Sequence, residues 1–395
     1  MKTTSSSSSG AWLGPMRIAM LLWAALVTAG IVLLPRAGFE LEGANAWIKD
    51  WRAYLFSERV AGQRDDIAII LITEDSVADY PYRSPVDRGL QAELIRALDS
   101  AKPAIIGLDF IYDRPSYPDK DAALLAALKS TATPIVLGAI DRRLRRVDEA
   151  AFAYQDKFIA DSGRQAAHLF FEGADNAIVF TDEAIRYAAS TSPVAPYRKS
   201  FAEALASHDG KAAKIANRNI DWLKPPLATG EGVFLTLEVP RHKPVSGAGN
   251  GDDVLPPSWR RALAGKIVLV GGAFVDRDQH LTPLSILTRE RVPGVTIHAQ
   301  IVAQLRDGRT LVELPTTVLA GLVFLLAALG FFLGWHYRMF RSDVLVAIVG
   351  TLALIAAGAF AFVAAKLLVP GSLLVAWVAG ISGGHFVKPL IARRF

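Results

Sequence analysis

The sequence predicts an α/β extracytoplasmic domain with a largely parallel sheet, joined to an α-helical membrane region of four spans. Two observations lead to this prediction. Four long runs contain no Asp, Glu, Lys or Arg, and the chain between the first and second runs alternates strand-like and helix-like segments. About 20 consecutive apolar residues cross a bilayer as a helix, whereas strand–helix–strand order implies right-handed crossovers between parallel strands.

The four uncharged runs define the predicted membrane spans. They cover residues 18–34, 314–337, 344–365 and 367–387, which are 17, 24, 22 and 21 residues long. A signal-peptide core is typically ~7–15 residues long, and no small-x-small cleavage site follows residue 34, so we expect an uncleaved anchor, with a signal peptide as the alternative. The runs contain no acidic residue and no ionisable pair, which argues against an ion or proton pathway.

Basic residues beside the runs predict the orientation. Those outside residues 36–313 are Lys2, Arg17, Arg338, Arg341, Lys366, Lys388, Arg393 and Arg394. One topology places all of them except Lys366 in the cytoplasm. We therefore expect a multi-pass protein of the bacterial inner membrane, in contact with the lipid bilayer. Residues 1–17 form a disordered cytoplasmic tail, residues 36–313 are periplasmic, and residues 388–395 are a second cytoplasmic tail.

Charge and composition exclude several function classes. The net charge is +5, but residues 36–313 hold 35 basic and 37 acidic residues, a net of −2, so we expect no nucleic-acid partner. The absence of cysteine excludes thiol catalysis and Cys-ligated metals. We find no H-E-x-x-H or G-x-S-x-G motif and no phosphate-binding loop, and we expect neither an enzyme nor a cofactor. An envelope hydrolase that uses acidic side chains is the alternative.

Apolar and β-branched periodicity locates the elements of the outer domain. Strands are predicted at 67–72, 104–110, 134–140, 233–239 and 266–270, and helices from a Ser84 cap through residue 98, at 119–129 and at 293–307. Residues 243–258 are predicted to form a mobile loop. The helical pattern at residues 47–55 fits either an amphipathic connector at the outer membrane surface or a cap on the domain core.

Candidate site residues follow the predicted strands, because ligands in such sheets bind beyond the carboxyl ends of the strands. The acids there include Glu74, Asp75, Asp109, Asp113 and Asp141, and residues 271–283 add Asp276, Asp278 and His280. Such a set suits a cation, a cationic solute or acid–base chemistry. The alternative is that the acids cap helices and pair with Arg83, Arg88, Arg114 and Arg277.

We select Asp75, Arg83, Asp109, Asp278 and His280 as candidate ligand-binding residues, and no catalytic or metal-binding residue. His298 is predicted to be a hydrogen-bonded core histidine.

Several motifs resemble a known family. They are residues 66–76 (Asp-Ile-Ala-Ile-Ile-Leu-Ile-Thr-Glu-Asp-Ser), 81–84 (Pro-Tyr-Arg-Ser), 106–110 (Ile-Gly-Leu-Asp-Phe), 265–271 (Gly-Lys-Ile-Val-Leu-Val-Gly), 278–283 (Asp-Gln-His-Leu-Thr-Pro) and 292–299 (Val-Pro-Gly-Val-Thr-Ile-His-Ala). Together they resemble the type-two CHASE domain, the sensory extracellular domain associated with cyclases and histidine kinases. The resemblance covers roughly residues 40–310 in two blocks, and one preceding span with three following ones is similar to the architecture of the family.

The resemblance implies a bacterial extracytoplasmic sensor that binds a small solute or envelope component and signals through its membrane helices. Family members commonly continue into a cytoplasmic cyclase or kinase, whereas this sequence stops at Phe395, eight residues after the last predicted span. We therefore expect it to act on a separate signalling or envelope protein. The alternative is a membrane-anchored scaffold or assembly component of an envelope complex, and self-association into a homo-oligomer is left open. The resemblance implies no particular ligand.

Overall fold

The computed structural model describes residues 13–33, 42–143, 147–172, 184–188, 192, 194–211, 213–215, 218–243, 254–336 and 340–392. The chain forms two compact units. The first contains residues up to Phe56 and from Leu311 onward, and the second contains most of residues 57–310. The predicted disordered tail at 1–17 lies largely outside the described residues, as does most of the predicted loop at 243–258.

The second unit alternates strands and helices along the chain. Its elements are β1 (Arg64–Thr73), α3 (Arg88–Ala101), β2 (Ile105–Asp109), α4 (Pro118–Ser130), β3 (Ile135–Ala139), α5 (Glu149–Ser162), β4 (Gln165–His168), β5 (Phe171–Glu172), β6 (Tyr187–Ala188), α6 (Phe201–Ala206), β7 (Phe234–Glu238), α7 (Pro257–Leu263), β8 (Ile267–Ala273), β9 (Gln279–His280), β10 (Val292–Pro293) and α8 (Gly294–Asp307). The helices α1 and α2 precede them, as described below.

Six strands form one sheet in the order β4-β3-β2-β8-β1-β7, and every neighbouring pair is parallel. The predicted parallel α/β sheet is therefore confirmed. The late strand β8 lies between β2 and β1, where Ile267 pairs with both Ile67 and Ile105. This insertion brings the carboxyl ends of three strands from distant parts of the sequence side by side.

Both faces of the sheet are covered by helices. Alternate residues such as Ile70 in β1 and Val270 in β8 pack with α3, α4, α5 and α7 in one continuous core. Gly107, in the middle of β2, faces the other side, where a Cβ would lie 2.7 Å from side-chain atoms of both Phe201 and Leu205 in α6. The α6 helix contacts α8 on that face. A buried strand covered on both faces explains the uninterrupted apolar run of β1.

Some elements differ from the sequence-based expectation. The helix predicted from Ser84 begins at Arg88, because the Asp87 carboxylate caps it by accepting hydrogen bonds from the Gly89 and Leu90 main-chain N–H groups. Pro257 and Ser258, predicted as loop, open α7. The elements α5, β4 and α6 were not predicted, because their short apolar patterns lie in a polar stretch.

Among its described residues, the first unit contains four helices long and apolar enough to cross a membrane. They are α1 (Leu13–Leu33), α9 (Thr316–His336), α10 (Phe340–Ala365) and α11 (Ser372–Ala392). The last begins at Ser372 rather than at residue 367, because Leu367–Leu368 forms the short strand β12, which pairs in parallel with β11 (Val312–Glu313). A Pro-Gly step at 370–371 then precedes the helix.

Small residues allow α9 and α11 to pack backbone to backbone. A Cβ added at Gly330 would lie 2.7 Å from the Trp377 carbonyl oxygen. Cβ atoms at Gly334, Gly380 and Gly384 would approach backbone oxygens of the facing helix more closely still. The four-residue spacing of glycines on both helices therefore forms their mutual interface, as small-xxx-small patterns do in membranes.

The amphipathic helix α2 (Glu42–Phe56) packs within the first unit. The Arg52 guanidinium donates a 3.0 Å hydrogen bond to the Val369 carbonyl, and the Asn45 side chain accepts one of 2.9 Å from the Gly371 N–H. Lys49 and Glu313 form a 3.0 Å ion pair. The helix thus contacts the loop between α10 and α11 and the residues before α9, which agrees with a connector at the ends of the apolar helices.

One expectation about the spans is wrong. Asp343 lies in the first turn of α10, where it is buried, and its carboxylate pairs with the His385 Nδ1 of α11. The uncharged run starts at residue 344, but the helix begins at Phe340 and includes the acid. The helical bundle therefore contains an ionisable pair.

Candidate functional site

The site lies at the carboxyl ends of the central strands. Asp109, the last residue of β2, pairs in register with Gly271 of β8, and Ala273 of β8 pairs with Thr73 of β1. A Cβ at Gly271 would lie 2.6 Å from Val295, the second residue of α8. The absence of a side chain at Gly271 therefore lets the first turn of α8 approach the sheet beside Asp109.

Asp278 is held against the same turn of α8. It has a left-handed backbone with φ of 51°, a conformation that Asp adopts more readily than most residues. Its main-chain oxygen accepts a 3.1 Å hydrogen bond from the Gly294 N–H. Its carboxylate lies 2.8 Å from the His280 Nε2. A non-glycine residue with positive φ beside a cluster of polar groups is typical of functional sites.

Asp109 lies in an unfavourable environment for a charge. The side chain retains partial exposure, but its Oδ2 atom is buried and has no hydrogen-bond partner among the described residues. Burial raises the pKa of Asp109 well above its ordinary value, and the nearby Asp278 carboxylate raises it further. A carboxyl group in such a place holds its proton or acquires a positive partner.

His298 is the fifth residue of α8. It is 3% exposed and its ring stacks on Phe171 with centroids 4.4 Å apart, while Phe201 contacts it edge-on at 5.1 Å. Phe171 also contacts His280, at 5.7 Å. Burial, together with His168 and His280, lowers the pKa of His298 to about 3, so the imidazole is neutral. It was predicted to be hydrogen-bonded, yet its Nδ1 has no such partner in the described part of the chain.

The predicted site residues therefore separate into groups. Asp278 and His280 contact each other near the start of α8, and the Asp278 carboxylate is near enough to Asp109 to raise its pKa. Arg83 belongs to an adjacent group, where its guanidinium lies 3.8 Å from Glu74 and 3.7 Å from Asp276, and it is 56% exposed. Asp75 is exposed, and its main-chain oxygen accepts a 3.2 Å hydrogen bond from the Ala78 N–H.

Several other acids near the strand ends have a bonded partner, and Asp113 has the Arg114 partner that the structural alternative names. Asp113 pairs with Arg114 at 2.8 Å, and the buried Asp141 pairs with Arg143 at 2.7 Å. Asp121, at the start of α4, pairs with Arg88 at 2.7 Å. Glu74 accepts a 2.8 Å hydrogen bond from the Val275 N–H. Each of these carboxylates has its charge balanced within the fold, which distinguishes them from Asp109.

Phe171 and the glycines that shape the site were not among the residues predicted from the sequence. Phe171 lies in the poorly patterned middle of the chain, where no periodicity assigns it to an element. The sequence does contain one usable signal: Gly294 and His298 are four residues apart, so they lie on one face of a helix. Among the described residues, no group of three or more His, Asp or Glu side chains could hold a metal ion.

These features define the class of protein as an α/β domain protein with four helices long and apolar enough to cross a membrane and a candidate polar site at the carboxyl ends of its sheet. The family model of the CHASE2 domain matches residues 19–333, most of the chain. The protein belongs to the CHASE2 domain family, a family of sensory extracellular domains. Searches of curated proteins and of solved structures return no significant match.

Proposed function

We propose that this protein is a membrane-anchored sensor that binds a small solute or envelope component outside the cytoplasm and signals through its apolar helices to a separate partner protein. Binding, rather than catalysis, is its proposed activity. The observation that supports the proposal is the position of α8 in the chain, between the candidate site and the second apolar helix. Its first turn borders the candidate site, and its last residue, Asp307, precedes β11 and α9 by a few residues in the chain.

The continuity of α8 supports signal transmission. A ligand that binds one arrangement of the site better than another shifts the protein towards that arrangement. Val295 contacts Gly271, and Gly294 contacts Asp278, so a ligand that moves either group also acts on α8. The helix ends at Gly308 in a left-handed cap, after which the chain leads into α9.

The distribution of basic residues supports the proposed location. Seven of the eight basic residues outside residues 36–313 fall on one side when the four apolar helices are placed across a bilayer. The positive-inside rule assigns that side to the cytoplasm. We therefore propose the bacterial inner membrane, with both termini cytoplasmic and residues 36–313 extracytoplasmic.

The orientation can be tested directly because the chain has no cysteine. Single substitutions Val275→Cys, in the outer domain, and Lys2→Cys, near the N-terminus, provide matched reporters. In intact spheroplasts, a membrane-impermeant maleimide should label the cysteine at 275 and should label the cysteine at 2 only after permeabilisation. The reverse pattern would contradict the orientation, and with it the sensing of an external solute.

A second candidate function is a scaffold for an envelope complex. Three large apolar side chains of the second unit, Leu227, Val275 and Leu287, are 81%, 84% and 59% exposed. A scaffold would bury such side chains in a protein interface. A scaffold predicts a persistent protein interface and no response to small molecules.

The partner distinguishes the two functions. We would crosslink the intact protein in its native membranes, purify it by affinity and identify the attached proteins by mass spectrometry. A sensor should recover a kinase, a cyclase or another regulator, and the recovery should depend on the membrane helices. Recovery of envelope assembly proteins alone, or of the protein itself alone, would overturn the signalling function in favour of the scaffold.

A further inference from the structure

Helix α2 exposes large apolar side chains and buries charged ones. Trp47 and Leu55 are 46% and 54% exposed, whereas Asp50 and Arg52 are 2% and 9% exposed. A helix on the surface of a soluble domain shows the reverse arrangement, with its apolar stripe towards the core and its charges in water. Buried charged groups and exposed large apolar groups are the informative departures from ordinary burial, and α2 combines them. Water alone is therefore an unfavourable environment for this helix.

The polar residues of α2 bind the ends of three apolar helices. Asn45, Lys49 and Arg52 follow one another at helical spacing, so they lie on one face. Their partners, all in segments that flank the apolar helices, are Gly371, Glu313 and Val369. Glu313 precedes the start of α9, and the other two partners lie between the end of α10 and the start of α11. Helix α2 is therefore attached where these three helices begin or end.

The other side of α2 carries an aromatic and apolar stripe. Trp47, Trp51, Tyr54 and Leu55 share one face by the same spacing, and we call them the outward face of α2. The Trp47 and Trp51 rings meet edge-on with centroids 6.1 Å apart, and Trp51 and Tyr54 do so at 6.0 Å. Trp and Tyr are enriched where a membrane meets water, because each combines an apolar ring with a polar tip. The outward face has the composition of a helix that lies in a membrane interface.

We propose that the outward face of α2 lies in the boundary between the headgroups and the acyl chains of a phospholipid bilayer. The lipid is a partner additional to the solute and the protein of the proposed function, and the proposal depends on neither of them. A bilayer that surrounds the apolar helices reaches its surface where they end, which is where α2 is attached. The Arg52 guanidinium is turned away from this lipid, towards the Val369 carbonyl and Gly358 of α10.

A second protein fits the outward face less well than a bilayer. A stable protein interface buries about 800 Å² on each partner. One face of a 15-residue helix, about 22 Å long and about 10 Å wide, offers roughly a quarter of that area. A bilayer requires no such minimum, because it continues from α2 over the exposed sides of the apolar helices. The size of the face therefore favours lipid over a second copy of the chain.

The test is quenching of an attached fluorophore by nitroxide lipids. The chain has no cysteine, so Trp47→Cys and Leu55→Cys can each carry a single NBD label. The full-length protein is placed in phosphatidylcholine nanodiscs that contain a phosphatidylcholine with its nitroxide near the headgroup or near the chain end. Val275→Cys is the control, because Val275 is 84% exposed and lies at the opposite end of the sheet from Arg64, where β1 begins. The nitroxide near the headgroup should quench the labels at 47 and 55 several-fold more than the label at 275, and more than the nitroxide near the chain end does.

Charged substitutions give a second readout of the same contact. Leu55→Asp places a carboxylate in the lipid boundary and should lower the melting midpoint of the protein in nanodiscs. Leu227→Asp is the matched control, because Leu227 is an apolar side chain of the second unit that is 81% exposed. Its melting midpoint should stay close to that of the parent. An outward face in water would tolerate both substitutions equally.

Three outcomes would overturn the proposal. The labels at 47 and 55 may show no more quenching than the label at 275, or the two aspartate variants may have equal melting midpoints. Formation of disulfide-linked dimers by Trp47→Cys, with its label unquenched, would assign the face to a second copy. Neither measurement involves a solute or a signalling partner, so the result is independent of the maleimide and crosslinking experiments.

Discussion

Gly294 and the Asp278 carboxylate occupy adjoining space: a Cβ at position 294 would lie 2.7 Å from both Asp278 carboxylate oxygens. The main chains of the two residues are also hydrogen-bonded, from the Gly294 N–H to the Asp278 oxygen at 3.1 Å. The position of the site carboxylate and the start of α8 are therefore mutually dependent. A change at either residue acts on the other.

Replacement of Gly294 by alanine should displace the Asp278 side chain. The added methyl group meets two oxygens at less than contact distance, so we expect a loss of about 1–3 kcal/mol in the free energy of unfolding. Thermal unfolding of the purified protein measures this loss. Gly62→Ala is the matched control, because a Cβ at Gly62 meets nothing within 4 Å. Equal midpoints for the two variants would contradict the contact between Gly294 and Asp278.

The substitution Asp109→Asn should stabilise the protein at neutral and alkaline pH. The pKa of Asp109 is raised by folding, so the folded state holds a proton that the unfolded state releases. Stability consequently falls as pH rises from the ordinary Asp value, about 4, through the raised pKa. Asn removes this penalty at nearly constant shape. Denaturant unfolding at several pH values should show a flatter profile for the variant.

The control variant Asp113→Asn should change the free energy of unfolding in the opposite direction. Its hydrogen bond with Arg114 lowers the pKa of Asp113, so this acid contributes stability above its ordinary pKa, and that contribution is lost as pH falls through the lowered value. The asparagine variant should be slightly less stable than the parent at neutral pH. If Asp109→Asn were also destabilising there, the unfavourable burial of Asp109 would be refuted.

His298 should remain uncharged throughout the physiological range. With a pKa of about 3 in the folded protein and about 6.5 when unfolded, it contributes stability that is complete above pH 6.5 and lost as pH falls towards 3. His298→Phe should keep the stacking on Phe171 and remove this pH dependence. Unfolding measured across that range checks the slope. An imidazole titration near pH 6.5 in the folded protein would argue against the buried, stacked ring.

A valine at position 384 should weaken the packing of α11 on α9. The Cβ would meet the Phe331 carbonyl oxygen, and no rotamer moves a Cβ away from the backbone. We expect a lower melting midpoint of Gly384→Val in lipid nanodiscs. Gly321→Val, in α9 itself, is the control, because a Cβ there has no neighbour within 4 Å. If the two variants have the same melting midpoint, backbone packing at the glycines does not stabilise the bundle.

Asp343 and His385 should be energetically coupled, so that their contributions to the stability of the protein are not additive. Asp343 is buried, so removal of either partner leaves a polar or charged group without compensation, at a cost of up to about 3–5 kcal/mol. The variants Asp343→Asn and His385→Gln should each lower stability, and the double variant should lose much less than the sum of the two. A double-mutant cycle from thermal unfolding measures the difference. Additive losses would show that the two residues act independently.

The sequence predicted most of the sheet because its buried strands are continuous apolar runs. The strand at 67–72 and the helix ending at Gly308 lie almost as expected, since each depends on local patterning or on a glycine cap. Helix α5 was not predicted, although Asp148 caps it and Gly163 ends it, because its buried side chains are separated by polar ones.

The site was predictable only in part. The rule that ligands bind at the carboxyl ends of strands selected Asp278 and His280, which contact each other, and Asp109, whose pKa the Asp278 carboxylate raises. It also selected Asp75, which is exposed, because the rule cannot tell which way a side chain leaves a loop. The insertion of β8 between β2 and β1 is a long-range pairing, and nothing local in the sequence reveals it.

The two-residue ladder between β11 and β12 has a mechanical consequence. Val312 pairs with Leu367, and Glu313 pairs with Leu368, so the segment that leads into α9 is hydrogen-bonded to the turn that leads into α11. A pull on residues 312–313 is therefore shared between two helices. A displacement of this segment would therefore move α9 and α11 together rather than α9 alone.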